Sequence, residues 1–436
     1  MLWPLLLRAL IMRYLYSAIY YLLMPLVLLR MLWRSRRAPA YRRRLGERFG
    51  FFRALPDDGR DVLWVHAVSV GETLAAAPLL EELMVSYPQH QLVVTTTTPT
   101  GSERVEALFG ERVFHVYAPW DLPGAVARFF SRTRPALLLL METELWPNML
   151  HRANRRGVPV ILANGRMSER SAKGYGRLPG LSRQMLSSLA GLACQSAEDA
   201  RRFIELGAPV NHTLVSGSIK FDVTLDQKLV DAAATLRRQW RADQRPVIVA
   251  ASTHPGEDEL ILDAFAELRS QVKDCLLLLV PRHPERFAAV ARLSADRGWQ
   301  VLLRSQNRPP GAQDDVVIGD TMGELLLLLS VGRVAVIGGS LVPHGGHNVL
   351  EASAWGVPVV TGPHMFNFDR ISSLMTSAGA MVQLKNEQQL APTLLALLLD
   401  DNRLSAMGEA GKEVLAQNRG ARQQLLNLVA ELLPAR

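Results

Sequence analysis

Three carboxylates stand where an apolar run gives way to a turn, the setting in which a strand delivers a side chain to the edge of a sheet. Glu72 follows the run 62–66 within Ser-Val-Gly-Glu, and Glu142 and Glu144 follow the wholly apolar run 136–141. A carboxylate held there acts as a general base if its surroundings raise its pKa toward working pH. In the first turn of a helix it also simply complements the helix dipole, and for all three both readings stand. Lys220 lies near the middle of the chain, where it either steadies a departing phosphate or is merely exposed. No serine elbow and no Cys–His nucleophile spacing accompanies them.

A second set follows later apolar runs. The stretch 338–363, GGSLVPHGGHNVLEASAWGVPVVTGP, reads as strand, glycine loop, helix and strand, a βαβ unit. Glycines allow backbone amides to approach an anion, and a helix N-terminus adds partial positive charge, so a phosphate is the natural guest. Glu351 then either accepts bonds from two sugar hydroxyls or complements the dipole. The loops ending in Arg282, in Gly323-Glu324 and in Asn348 to Glu351 are expected to line one crevice, a nucleotide site that matches neither a Walker loop nor the dinucleotide fingerprint. Arg282 either grips phosphate or pairs with Glu285. His283, His344 and His347 lack compact ligand spacing, and no metal is expected.

The elements that position these residues alternate. Apolar runs at 62–66, 92–96, 136–141 and 158–163 are separated by helical patterns at 72–87 and 102–109. A helix over 175–189 and a run at 191–195 extend the layer, and this half closes near 215–220. A polar helix over 226–240 leads to a border at 244–246. The alternation resumes with strands at 247–250, 276–280, 334–337 and 357–360, with a polar surface loop at 307–315. Continuous apolar strands between helices imply parallel sheets covered on both faces, and two such halves imply a cleft between them.

The chain has 436 residues, 48% of them hydrophobic and 21% charged, and a net charge of +8. That length predicts two domains and an appendage, and the charge predicts an anionic partner. With no nucleic-acid module present, lipid or a phosphorylated substrate is favoured over nucleic acid. Cys194 and Cys275 sit in apolar runs and read as reduced core residues. Residues 14–29 carry no charge and are bracketed by Arg13 and Arg30, with Pro25 inside. This segment either spans a bilayer with Arg8 and Arg13 snorkelling, or lies in the interface as an anchor. Arg34, Arg36, Arg37, Arg42, Arg43 and Arg44 form a basic collar behind it, which places the body on the cytoplasmic side, against anionic lipid, unless it is only a solvated helix face. Ala38-Pro39-Ala40 resembles a signal cleavage site, but it follows arginines where a signal is apolar.

Four motifs, VSVGET at 68–73, METELWPN at 141–148, PRHPERF at 281–287 and GGHN at 345–348, resemble those of the 3-deoxy-D-manno-octulosonic acid (Kdo) transferases, and the resemblance covers essentially the whole chain. It implies an α/β protein of the GT-B class: two Rossmann-like parallel-sheet domains facing a cleft, with an N-terminal anchor helix. The implied divisions are 1–33 anchor, 34–222 acceptor domain, 223–420 donor domain, and 421–436 a helix crossing back to the first domain. The implied activity is inverting transfer of Kdo from CMP-Kdo to a lipid A precursor, lipid IVA, at the cytoplasmic face of the inner membrane, without a metal or other cofactor. By the same resemblance Glu72 is the base, and Glu142 and Lys220 stabilise the transition state. Contacts to CMP fall on Pro281, Arg282, Met322, Gly323, Glu324, Asn348, Val349, Leu350 and Glu351. Val349 stands where the family pattern has Pro or Ile. A sugar-nucleotide epimerase of the same fold and a non-catalytic lipid-binding membrane protein are the rival readings.

Overall fold

The computed structural model describes residues 2–36, 38–56 and 58–433, with side chains from Ile11 onward. It divides into two compact units, one comprising the chain up to Asp222 and again from Arg419, the other Val223–Asn418. Each unit carries a seven-stranded, all-parallel sheet.

In the first unit the strands are β1 (Val62–His66), β2 (Gln91–Thr96), β3 (Phe114–Tyr117), β4 (Pro135–Met141), β5 (Val160–Gly165), β6 (Gly191–Cys194) and β7 (Thr213–Val215). Their order is β3-β2-β1-β4-β5-β6-β7. Alternate side chains of a strand face opposite ways. Trp64, Leu138 and Leu140 therefore enter one core, whereas Leu63, Val65, Leu137 and Leu139 enter another. Burial on both faces is why these strands read as unbroken apolar runs. The helices Val70–Ser86 and Ala421–Leu432 cover the second face, the latter through Leu425 and Val429. A Cβ on Gly191 of β6 would meet Leu428 at 2.6 Å, so the bare backbone there admits this last helix. The carboxylate of Asp222 accepts the N–H groups of Gly420 and Arg422, each at 2.6 Å, and fixes the returning chain at the point where it left.

The second unit contains β8 (Val247–Thr253), β9 (Leu276–Pro281), β10 (Val301–Leu303), β11 (Val316–Ile318), β12 (Val334–Ile337), β13 (Val359–Thr361) and β14 (Met381–Gln383). The order is β10-β11-β9-β8-β12-β13-β14. Ile248, Ala250, Leu277, Leu279 and Val336 pack with Phe265 and Leu268 of the helix Glu257–Gln271 and with Leu394 and Leu397 of the helix Leu390–Leu398. Successive connections change side of the sheet between β1 and β4 in the first unit and between β8 and β12 in the second. Open parallel sheets bind ligands beyond the carboxyl ends of the strands at such a switch point.

Several expectations are adjusted. The helix expected at 72–87 begins at Val70, because Ser69 caps it. The helix expected over 175–189 is two, Glu169–Gly176 and Pro179–Leu186, since a proline pushes the residue before it out of helical geometry. The helices after Glu324 and Val349, Leu325–Leu329 and Leu350–Ala354, have five residues each, too few for a developed macrodipole. The N-terminal helix runs through Pro25 from Leu2 to Arg34, and its part Ile11–Arg34, of mean hydropathy 1.7, is long and apolar enough to cross a membrane. In the collar Arg34, Arg36, Arg42 and Arg43 are exposed. Arg44 instead turns inward to Glu47, Glu106 and the carbonyl of His115. Arg37 and the side chain of Arg8 lie outside the described residues.

Candidate functional site

The residues of interest lie at the two switch points. In the first unit Ser69 caps the helix that follows β1, its hydroxyl accepting the N–H of Glu72 at 3.2 Å and donating to Glu72 Oε1 at 2.9 Å. Glu72 Oε2 accepts the N–H of Val68 at 2.9 Å. This is a variant of the capping box, with the glutamate reaching back over the first turn. Both bonds favour the ionised carboxylate, yet the side chain is 6% exposed. Burial outweighs them and, with smaller contributions from Glu142 and Glu144, lifts the pKa from 4.5 to about 7.

Glu142 continues β4, donating its N–H to Ala163 O at 2.9 Å, and takes a left-handed φ of 57°. A side-chain-bearing residue there costs on the order of 1–3 kcal/mol and persists only where surrounding bonds enforce it. Asn164 at the end of β5 has φ 56°. Two adjacent strands thus turn sharply at their carboxyl ends beside the switch point. Glu144 accepts the indole N–H of Trp146 at 2.8 Å, and burial, opposed by that bond and aided by the charge of Glu142, raises its pKa. The Trp146 ring meets His66 edge-on at 4.7 Å, and burial holds His66 neutral with a pKa of about 3. Asn164 is fully buried, and its Oδ1 accepts the N–H of Ile219 at 3.2 Å, tying the turn that carries the half-buried Lys220 to the end of β5. Glu72, Glu142 and Glu144 therefore share one electrostatic neighbourhood.

In the second unit the first glycine pair behaves differently from expectation. The amides of Gly339, Ser340 and Leu341 are already taken by the buried carboxylate of Glu257, at 2.6, 3.0 and 2.9 Å, and His254 N–H donates to the same group at 2.9 Å. The anion these glycines admit is the protein's own. Gly338 must lack a side chain because a Cβ there would collide with the backbone of Ser252. Glu257 thereby clamps the loop after β12 onto the loop after β8. Sequence reasoning passed over it, since a glutamate opening a helix after Pro-Gly looks like ordinary dipole complementation.

Beyond the second pair, Gly345-Gly346, Asn348 folds back on the short helix. Its Oδ1 accepts Leu350 N–H at 3.2 Å and its Nδ2 donates to Glu351 Oε1 at 3.1 Å. Burial raises the Glu351 pKa, while Asn348 and the charge of Arg282 oppose the rise. Arg282, Asn348 and Glu351 are thus brought together. Among the described residues no ion pair joins Arg282 to Glu285; the ion pair in this loop is that of Arg286 with the buried Asp258. Glu324 accepts bonds from Thr321 and, at 3.1 Å, from Arg304, while Met322 before it is 61% exposed and Gly323 has φ 83°. Val349 and Leu350 are fully buried, which explains why an apolar residue serves at 349.

The three histidines weighed above, His283, His344 and His347, are joined around this loop by a fourth, His254. His254 Nε2 lies 2.8 Å from His347 Nε2, and the His254 ring stacks on His344 and His347 at 4.2 and 5.0 Å and meets His283 edge-on at 5.6 Å. Burial first, then neighbouring imidazoles and arginines, hold His254 and His347 neutral, with pKa values of about 4 and 3. Stacked rings facing one another do not converge on a point, and no group among the described residues has the disposition of a metal site.

Comparison with known proteins bears on residues and fold together. Residues 43–223 match the family model described as 3-deoxy-D-manno-octulosonic-acid transferase (kdotransferase). The 3-deoxy-D-manno-octulosonic acid transferase of Haemophilus influenzae is 41% identical over 422 residues, 97% of this chain and 99% of its own length. The enzyme of the same name from Bordetella pertussis is 37% identical over 430 residues, 94% of this chain and 97% of its own. Among solved structures, a putative UDP-N-acetylglucosamine 2-epimerase from Listeria monocytogenes superposes with a TM-score of 0.54 over 85% of this chain and 96% of its own, at 12% identity. That likeness shows the fold alone.

Proposed function

The chain belongs to the 3-deoxy-D-manno-octulosonic acid transferase family, glycosyltransferases of lipopolysaccharide assembly, and from that premise we propose how its residues divide the work. The donor is CMP-Kdo and the acceptor a lipid A precursor such as lipid IVA. Glu72, ionised, takes the proton of the acceptor hydroxyl as that oxygen attacks the anomeric carbon from the face opposite the phosphate. The carbon–oxygen bond to phosphate breaks, its electron pair leaves with CMP, and the configuration inverts. Positive charge that develops on the sugar is offset by the carboxylate of Glu142, and negative charge on the departing phosphate by Lys220 and Arg282. Pro281, Met322 to Glu324 and Asn348 to Leu350 frame the nucleotide, with Glu351 accepting bonds from the ribose hydroxyls.

The observation that carries this reading is the buried Glu72 carboxyl with a pKa lifted to about 7, next to the β1/β4 switch point. A base whose pKa matches working pH combines availability with driving force. CMP departs as a monophosphate, with less charge to neutralise than a diphosphate, so the reaction runs on side chains without a metal. The protein works, on this reading, at the cytoplasmic side of the inner membrane, which the exposed arginines behind the apolar N-terminal helix support through attraction to an anionic leaflet. Incubation with CMP-Kdo and lipid IVA tests the assignment. Acceptor mass rising by Kdo units supports it, and turnover of CMP-Kdo to free sugar with the acceptor unchanged overturns it.

A further inference from the structure

The N-terminal helix is seated on the first unit over residues 12–31. The positions that are buried or half-buried are 12, 13, 16, 17, 20, 24, 27, 28 and 31, one stripe at helical spacing. At its lower end the stripe is polar. Arg13 Nη1 donates to Asn148 Oδ1 at 3.0 Å, Asn148 Nδ2 donates to Ser17 Oγ at 3.0 Å and to Asp121 O at 2.6 Å, and Asp121 accepts the amides of Asn148 and Met149 at 2.9 and 2.8 Å. Arg13, Ser17, Asp121 and Asn148 are all less than 7% exposed. Higher up, Met24 enters a small core with Trp120, Leu122 and Ala125. The opposite face is apolar and open: Ile19, Leu22, Leu26 and Leu29 are 48, 78, 61 and 61% exposed.

We propose that this helix is an in-plane anchor, lying along one leaflet of an anionic bilayer with its open face in the acyl region, and does not cross the membrane. The packed stretch from 12 to 31 rises about 30 Å, the full thickness of the hydrocarbon core. A crossing would therefore strip the whole stripe from the unit, carry Arg13 into hydrocarbon and leave the buried Asn148 without Arg13 and Ser17. An open apolar face on a docked helix is satisfied by lipid with none of these losses. Charge selects the lipid: the first carboxylate in the chain is Glu47, whereas Arg30, Arg34, Arg36, Arg42 and Arg43 are exposed around the helix end. Asn148, which seats the helix, follows directly on the segment bearing Glu142 and Glu144, so the leaflet is registered against that segment.

This rests on the membrane reading above, and the test separates the two. Single variants Ile19→Cys, Leu22→Cys, Leu26→Cys and Leu29→Cys of the full chain, labelled with bimane, are bound to vesicles of phosphatidylethanolamine and phosphatidylglycerol. Lipids brominated near or far from the headgroup then report depth, and Cys194 and Cys275 stay silent because both are fully buried. The in-plane anchor gives equal, shallow quenching at all four positions, and Trp3→Cys reacts with impermeant maleimide added on the side of the globular body. Quenching that deepens toward the middle position, with Trp3→Cys reached only from the far side, overturns the in-plane geometry while keeping the membrane. Binding without quenching, together with dimers in sedimentation, assigns the face to a second copy and overturns it too. Absence of vesicle binding overturns the membrane reading itself.

Discussion

Replacing Glu72 by Gln keeps the size of the side chain and one acceptor while removing the charge and the ability to take a proton. In the folded chain the carboxyl holds its proton up to about pH 7, against 4.5 when free. Between these values the folded state binds more protons than the unfolded state, so the stability contributed by Glu72 is full below 4.5 and is lost as pH rises through 7. A shift of about 2.5 units is worth about 3.4 kcal/mol in full, of which about 2.5 kcal/mol falls between pH 5 and pH 8. Glutamine does not titrate. The stability of Glu72→Gln relative to the native chain should therefore improve by about 2.5 kcal/mol on going from pH 5 to pH 8, read by urea unfolding of both proteins at the two pH values. The kinetic counterpart is a native kcat/KM that climbs with an apparent pKa near 7 and a variant slower by roughly a hundred- to ten-thousandfold, with CMP affinity within about twofold of native. A stability difference that stays flat with pH, or CMP affinity falling as far as the rate, would show that Glu72 is only a helix cap.

Three further outcomes are expected. Glu351→Ala should weaken CMP binding about ten- to a hundredfold, the loss of a charge-assisted contact of roughly 1.5–3 kcal/mol, by calorimetric titration; unchanged affinity with a lower melting temperature would make it a structural residue. Glu257→Gln leaves two of four buried amides facing an amide nitrogen, so the second unit should lose roughly 2–5 kcal/mol, visible in melting, with CMP affinity falling in step; a native-like melt would refute the clamp. Transfer should persist within about twofold in excess EDTA, and activity lost in chelator and restored by magnesium would contradict metal-free departure of a monophosphate.

What the sequence made legible follows from burial. β1, β4, β8 and β9 are covered on both faces, and their continuous apolar runs betray them. β3, β10 and β14 are short outer strands with partly exposed residues, and nothing in a three- or four-residue run separates them from loop. Glu72 was legible because its motif is local, capping serine and glutamate three apart. Glu257 was not, because its partners lie some eighty residues downstream and are backbone groups, which leave no trace in residue type. Of the histidine group, His283, His344 and His347 were visible as residues, but their packing around His254 was not, since the four are drawn from three separate loops. Arg13 reads as the flank of an apolar span and Ser17 lies unremarked within it, and only tertiary packing reveals them as its seat.

The last helix has a bearing on how the chain is made. Residues 223–418 are continuous and carry a complete sheet, so that unit holds everything it needs as soon as it leaves the ribosome. The first unit, although synthesised earlier, lacks the cover supplied by Ala421–Leu432, and the part of one sheet face that Val70–Ser86 leaves open, including the bare backbone at Gly191, waits for that helix. Emergence from the ribosome N-terminus first therefore does not fix the order of completion here: the later unit closes before the earlier one. Asp222 stands ready at the exit point, and its two bonds to Gly420 and Arg422 are the latch that forms last. A nascent chain cut short by some fifteen residues would present a finished second unit attached to an open, apolar sheet, the kind of species that chaperones hold and proteases clear.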